Sequence, residues 1–199
     1  MAEWAARFSA VHVDFGTGDG AFVRRTAARH ADQLVIGVDA VVENLRTQAR
    51  KLAAKPARGG LPNALLGRLA LTDAPGALEG LAHRLTVLLP WGALLAAVAR
   101  PEAGGLAALR AICREDAGVR IVFGYGPEAD RTQVSELALP AIAGDALAVL
   151  GARYRAAGFA VRARCMTVAE VRELPTTWAK RLAFGGRQRE FVEVVGRAV

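Results

Sequence analysis

Two aspartates and three alternating glycines crowd into Asp14-Phe15-Gly16-Thr17-Gly18-Asp19-Gly20, the stretch of this sequence richest in chemistry. Glycines spaced this way let backbone N–H groups come up against a ligand where side chains would stand in the way. Dinucleotide loops read G-x-G-x-x-G and rest a pyrophosphate on the following helix N-terminus. Here the spacing is G-x-G-x-G with Asp14 two residues before the first glycine and Asp19 inside the loop, and two carboxylates repel a pyrophosphate. The same acids suit a ligand that carries a cationic amine and a sulfonium, which is S-adenosylmethionine. A second acid of interest, Asp39, ends the apolar run Leu34-Val35-Ile36-Gly37-Val38, 25 residues after Asp14. An acid there is placed to accept hydrogen bonds from ribose hydroxyls. Alone it could equally cap a helix, and the two roles are compatible.

Two tryptophans complete the set of candidate reactive groups. Trp91 lies in Pro90-Trp91-Gly92, directly after an apolar run, where an indole could stack on a planar substrate or close over the core. Trp178 sits among Lys180, Arg181, Arg187 and Arg189 in Thr176–Arg189. Aromatic and basic residues interleaved on a turn are the composition that stacks a splayed base while holding its backbone, although a solvated loop would have the same composition. A third cationic group, Arg50, Lys51, Lys55 and Arg58, gathers at the end of a helix and the turn after it. Cations there either complement the helix dipole or contact phosphate.

The elements that must carry these residues alternate between strand and helix. Val11–Phe15 is the first strand, with a helix from about Asp19 whose pattern runs Ala21–Arg29; Leu34–Asp39 is the second, with a helix from Val42 to about Ala54. Further strands are expected at Ala64–Ala70, Leu85–Leu89, Val119–Phe123, Phe159–Cys165 and Phe191–Val195. Helices are expected across Ala93–Ala99, Gly105–Arg114, Asp145–Ala157 and Val168–Leu174. The first ten residues read as a partial helix with Trp4 and Phe8 packing back on the sheet. Segments of about 124–140 and 174–189 read as lids. The expectation is one α/β domain over 1–199, a mostly parallel seven-stranded Rossmann-like sheet with helices on both faces.

Of 199 residues, 53% are hydrophobic and 23% charged, an ordinary globular balance. The net charge of +7 suits a polyanionic partner, yet 23 of the 26 cations are arginine, which genome base composition could also produce. No apolar run is long enough for a membrane span, and no signal layout opens the chain, so a cytoplasmic protein is expected. Cys113 and Cys165 lie far apart without metal-ligand spacing and read as buried thiols; the three histidines do not cluster, and no metal is expected.

The Gly loop resembles the first motif of the class I S-adenosylmethionine-dependent methyltransferases. The chain as a whole resembles a narrower family, the aminoglycoside-resistance 16S rRNA (adenine(1408)-N(1))-methyltransferases. That likeness rests on Val11–Gly20, Gly37-Val38-Asp39 with Glu43-Asn44-Leu45, Lys55–Asn63, Leu89–Leu95 and Trp178–Gly185. The first two are generic to class I enzymes and the last three are specific to this family. The resemblance implies that Asp14, Gly16, Thr17, Gly18 and Asp39 hold the cofactor, with Ala40 beside them. Thr72 and Asp73 would lie at the adenine ring, Leu89 beside the transferred methyl group and Thr176 near the methionine end. It implies further that Trp91 and Trp178 sandwich a flipped adenine, and that the cations of Arg50–Arg58 and Lys180–Arg189 dock on 16S rRNA of the 30S subunit. A monomer is expected.

Three differences from relatives fall in the docking parts. Only ten residues precede the first strand, where relatives have a longer N-terminal hairpin. Ala93 follows Pro-Trp-Gly, where relatives carry a hydroxyl residue, and Glu136-Leu137-Ala138 precede Leu139-Pro140, where some have a basic residue. These leave two other readings open: a related methyltransferase acting on another RNA or a small molecule, and a weakly active cofactor- and RNA-binding homologue.

Overall fold

β-Branched and leucine-rich runs that are apolar on both sides can be satisfied only in the middle of a covered parallel sheet, and the chain builds such a sheet. The computed structural model describes residues 2–101, 103–142, 145–184 and 188–199. Strands β1 (Ala10–Phe15), β2 (Gln33–Asp39), β3 (Ala64–Arg68), β4 (Ala82–Leu88), β5 (Cys113–Tyr125), β6 (Phe159–Met166) and β7 (Glu190–Ala198) form one seven-stranded sheet. Their order is β3-β2-β1-β4-β5-β7-β6. The first five run parallel, and β7 pairs antiparallel with both β5 and β6.

Helices α1 (Ala2–Ala5), α2 (Ala21–Arg29), α3 (Val42–Leu52), α4 (Ala74–Leu78) and α5 (Gly92–Ala99) are followed by α6 (Ala103–Ile112), α7 (Arg131–Glu136), α8 (Ala146–Ala156), α9 (Val168–Arg172) and α10 (Thr177–Phe184). Alternation along the strands separates two faces. Val13, Ile36, Leu85, Ile121 and Val194 point to the larger core, under residues of α4, α5, α6 and α8. Val35 meets Val23 and Ala27 of α2 on the opposite face, and Val122 and Phe191 meet Val171 of α9 and Ala179 of α10. Trp4 and Phe8 make an edge-to-face pair at 5.7 Å and pack on the core, as expected.

The strand order reverses between β1 and β4, so the loops after these two strands diverge and leave a crevice at their carboxyl ends. Both the Gly loop and Pro90-Trp91-Gly92 open from it. Four sequence expectations need correction. Strand β5 begins at Cys113 instead of Val119, because Cys113 pairs with Ala82 before an irregular stretch and Gly118 resumes the ladder opposite Arg84. The segment of about 124–140 is not one loop: Gly124 and Tyr125 are the last rungs of β5, and α7 follows. The tryptophan-bearing stretch after Pro175 is a helix and not a turn, since the Thr176 hydroxyl accepts the Ala179 N–H at 3.0 Å and starts α10. Cys165 is exposed, whereas Cys113 is buried as expected.

Candidate functional site

The crevice is a cavity of about 510 Å³, within the range of small-molecule sites. Its floor is the Gly loop. Gly16 has φ +73°, and a Cβ there would stand 2.5 Å from the Leu94 side chain. Gly18, φ +59°, carries its backbone to where a Cβ would be 3.6 Å from the Trp178 indole. Both conformations favour glycine, and at Gly16 a side chain would also displace Leu94, whereas at Gly18 it would make only ordinary contact with the indole. Leu89 also holds a left-handed φ of +55°, pinned by its N–H on the Val122 carbonyl at 2.7 Å, and this turns Pro90-Trp91 over the crevice.

Gly16, Gly18, Asp39, Ala40, Thr72 and Leu89 all line this cavity together with Trp91 and Trp178. The Asp39 carboxylate accepts the Gly18 N–H at 2.9 Å through one oxygen and the Val41 N–H at 2.9 Å through the other. A carboxylate has about four lone-pair positions, so two remain for ribose hydroxyls. Leu69, Ala70 and Leu71 add an apolar wall suited to a flat heterocycle. Sequence reasoning did not single them out, although they run directly into Thr72.

Four of the expected cofactor residues stand elsewhere. Asp14 and Thr17 are buried beneath the loop and do not line the cavity. Asp14 accepts from the Thr86 hydroxyl at 2.7 Å, and Thr86 in turn meets His12 Nε2 at 3.1 Å. Burial lifts the Asp14 carboxyl to about 6, against the lowering effect of its hydroxyl partners, and burial pushes His12 down to about 4. Asp73 is exposed and accepts from the Thr72 hydroxyl at 3.2 Å. Thr176 spends its hydroxyl on the start of α10 and does not line the cavity.

The two indoles come from segments 87 residues apart, yet their rings are parallel to within 7° with centroids 6.3 Å apart. They are 54% and 41% exposed, so both rings can be reached from solvent. A base stacked at about 3.5 Å from each ring would need about 7 Å between them. The centroid separation of 6.3 Å is an upper limit on that gap, so the rings must part for a base to enter. On α7, Gln133 is buried with its amide against Trp91. In the orientation that satisfies both neighbours, its oxygen accepts from Trp91 Nε1 at 3.2 Å and from the Gly92 N–H at 3.0 Å. Nothing in the sequence marked Gln133, because its segment read as a loop. The Arg181 guanidinium lies 5.4 Å from the Trp178 ring centroid, a cation–π contact.

The cations divide. Arg50, Lys51, Lys55, Arg58, Lys180 and Arg181 are exposed and free for a polyanion, with no carboxylate at ion-pair distance among the described residues. Arg189 is not: its side chain is 8% exposed and its guanidinium grips Asp130 through two bonds of 2.8 Å, while Asp130 also accepts the Gly126 N–H at 3.0 Å. It joins the segment after α10 to the N-terminus of α7 and does not present a cation to solvent. Arg187 lies outside the described residues. Among the described residues no cluster of histidine, cysteine or acids could hold a metal, and no helix is long and apolar enough to cross a membrane.

A cavity lined by a glycine cradle and an acid, roofed by two indoles and flanked by cations, has counterparts among known proteins. Residues 1–197 match the model of the NpmA family, 16S rRNA (adenine(1408)-N(1))-methyltransferase. The chain is a member of that family. The 16S rRNA (adenine(1408)-N(1))-methyltransferase of Escherichia coli is 31% identical over 201 residues, covering 98% of this chain and 90% of the relative. That of Streptoalloteichus hindustanus is 36% identical over 183 residues, covering 89% and 82%. In three dimensions the chain resembles the family's enzyme from Catenulisporales acidiphilia, solved as a tryptophan-to-alanine mutant with cosubstrate S-adenosylmethionine. The TM-score is 0.87 at 31% identity, with 100% of this chain and 89% of that one covered. The seven-stranded sheet is thus the class I methyltransferase fold expected from the sequence, and S-adenosylmethionine is the family's cofactor.

Proposed function

We propose that this protein transfers the methyl group of S-adenosylmethionine to N1 of adenine 1408 in 16S rRNA of the 30S subunit, acting as a cytoplasmic monomer, and so confers aminoglycoside resistance. The observation that carries the reading is the parallel Trp91–Trp178 pair, 6.3 Å apart, at the mouth of the cavity that Gly16, Gly18 and Asp39 line. A nucleobase entering between the indoles arrives at the end of the cavity formed by the turn after β4.

When bound, the cofactor supplies a sulfonium methyl group and leaves as neutral S-adenosylhomocysteine. Adenine N1 has a free lone pair at neutral pH, so the N–C bond forms as the S–C bond breaks and no general base is needed. Consistent with this, no histidine or cysteine lines the cavity among the described residues. The chain's contribution is alignment and exclusion of water, and aligned reactants can lower a barrier by roughly 7 to 11 kcal/mol. Trp91 and Trp178 hold the base flat, Asp39 holds the ribose of the donor, and the Gly loop, its Gly16, Thr17 and Gly18 N–H groups taken by Val38 and Asp39, lets the donor lie against bare backbone. The product base is a cation, which an indole face favours by about 0.5 to 2 kcal/mol. The cations of α3 and α10 meet the RNA backbone.

Incubating the protein with 30S subunits and S-adenosylmethionine, then extending a primer across the decoding region, should give a stop at adenine 1408. A susceptible bacterium expressing the chain should grow on kanamycin and apramycin, and one expressing the Asp39→Ala variant should not. Methylation of another RNA or of a small molecule, with no stop on 30S subunits, would overturn the reading.

The buried Asp14 supplies a pH dependence. With its carboxyl lifted to about 6, the free protein holds a proton there below that pH. Its contribution to folding stability is therefore present at acidic pH and is lost as pH rises through about 6. A cationic donor bound above the loop has the opposite preference and favours the carboxylate. Cofactor affinity should accordingly weaken as pH falls, by up to about fivefold between pH 6 and 5. Calorimetry across that range checks it, and Asp14→Asn should flatten the profile.

A further inference from the structure

Asp19 is the one loop acid that the cofactor reading leaves unused, and its two oxygens face in different directions. One accepts the N–H of Ala21 at 3.0 Å, at the start of α2. The other accepts the hydroxyl of Thr177 at 2.7 Å, a residue 158 positions away and directly before Trp178. Two further contacts join the same pieces. The Arg25 guanidinium of α2 donates to the Pro175 carbonyl, and the Trp178 indole lies against Gly18. The start of α10 and the residues before it are thus fastened to the cofactor loop by two contacts and to α2 by a third.

We infer that Asp19, through Thr177, is a positioning residue: it ties the cofactor loop to the helix carrying Trp178, so that donor and RNA bind cooperatively. This rests on the function proposed above. The physical reason is that Gly18 is shared. Its N–H is held by Asp39 within the donor site, while its α-carbon faces the Trp178 indole. A donor that fixes Asp39 and Gly18 fixes Asp19 one residue later, and with it Thr177 and the angle of Trp178. Base stacking on Trp178 then meets a loop already ordered. Linkage requires that the effect be reciprocal, the base ordering the loop for the donor.

The test measures affinity for 30S subunits with and without S-adenosylhomocysteine, and affinity for S-adenosylhomocysteine alone. In the unaltered protein the nucleoside should tighten 30S binding by about tenfold, within the ordinary range of coupling between sites. Thr177→Val should bring that factor close to one while each separate affinity stays within about threefold, and Thr177→Ser should restore it. Adding Asp19→Asn to Thr177→Val should change the coupling no further. A second readout needs no RNA: the change in Trp178 emission on adding S-adenosylhomocysteine, isolated by comparison with Trp178→Phe, should be lost in Thr177→Val and return in Thr177→Ser. Absence of coupling in the unaltered protein, or equal coupling in Thr177→Val, overturns the proposal. So does a loss of both separate affinities in Thr177→Val, which would mark a merely structural contact. If the unaltered protein fails to bind 30S subunits, the substrate assignment fails. The emission experiment then decides the latch alone, for it if Thr177→Val loses the response and against it if the response persists.

Discussion

Trp178→Ala is expected to lower kcat/KM on 30S subunits by one to two orders of magnitude while affinity for S-adenosylmethionine stays within a few-fold. Extruding a base from its stack costs a few kcal/mol, and each aromatic face returns about 1 to 3 kcal/mol. Two indoles at 6.3 Å can balance the flip, whereas one cannot. Removing Trp178 also takes away the ring that Arg181 packs on, so α10 loses an aromatic anchor at its exposed surface. Asp39, the donor's proposed ribose partner, keeps both of its backbone contacts. Trp178→Phe keeps a π face and should recover much of the rate. Single-turnover methylation of 30S subunits beside calorimetry of the donor separates the two effects, and unchanged turnover in the alanine variant would remove the stacking role.

Asp39→Ala should act on the other substrate. Its carboxylate holds two backbone N–H groups at 2.9 Å and has lone pairs left for the ribose. Hydrogen bonds to a charged group contribute about 1.5 to 3 kcal/mol each. Losing the contacts to two ribose hydroxyls should therefore weaken donor binding by at least about a hundredfold, with further loss as Gly18 comes free. Asp39→Asn keeps one acceptor oxygen and should fall between. The fold should survive both changes, because the residue is half-exposed and β2 is held by its own ladder. Calorimetry of S-adenosylhomocysteine, with thermal unfolding as control, measures this.

The part of the site built from consecutive residues was legible in the sequence. Val11–Arg29 reads as strand, loop and helix because a buried parallel strand is a continuous apolar run and a left-handed loop demands glycine. Leu89-Pro90-Trp91-Gly92 announces itself by the same punctuation. What depends on tertiary contact was not legible. Asp14 has the right residue type at the right spacing, but whether it faces the ligand or lies under the loop depends on Thr86, 72 residues away. Arg189 counts as one more cation in the sequence, and only folding reveals Asp130 around it. Gln133 and α7 were hidden in a stretch flanked by Gly126-Pro127 and Leu139-Pro140, where such residues signal a loop. The helix α10 was obscured differently. Its mixture of tryptophan, lysine and arginine suggested a flexible turn, although no glycine or proline interrupts 176–184 and a helix was open to it.

The spacing of the indoles also bears on how the enzyme avoids the wrong adenines. A pair of rings whose centroids stand 6.3 Å apart must part to admit a base, and a free nucleotide brings nothing that does this work, so free adenosine should be a poor substrate. Only a nucleotide already levered out of a folded particle, with its neighbours clamped on the basic surfaces alongside, arrives with that work done. On the proposed function, discrimination would then rest on the architecture of the ribosome and not on the purine ring, which every other adenine in the cell shares.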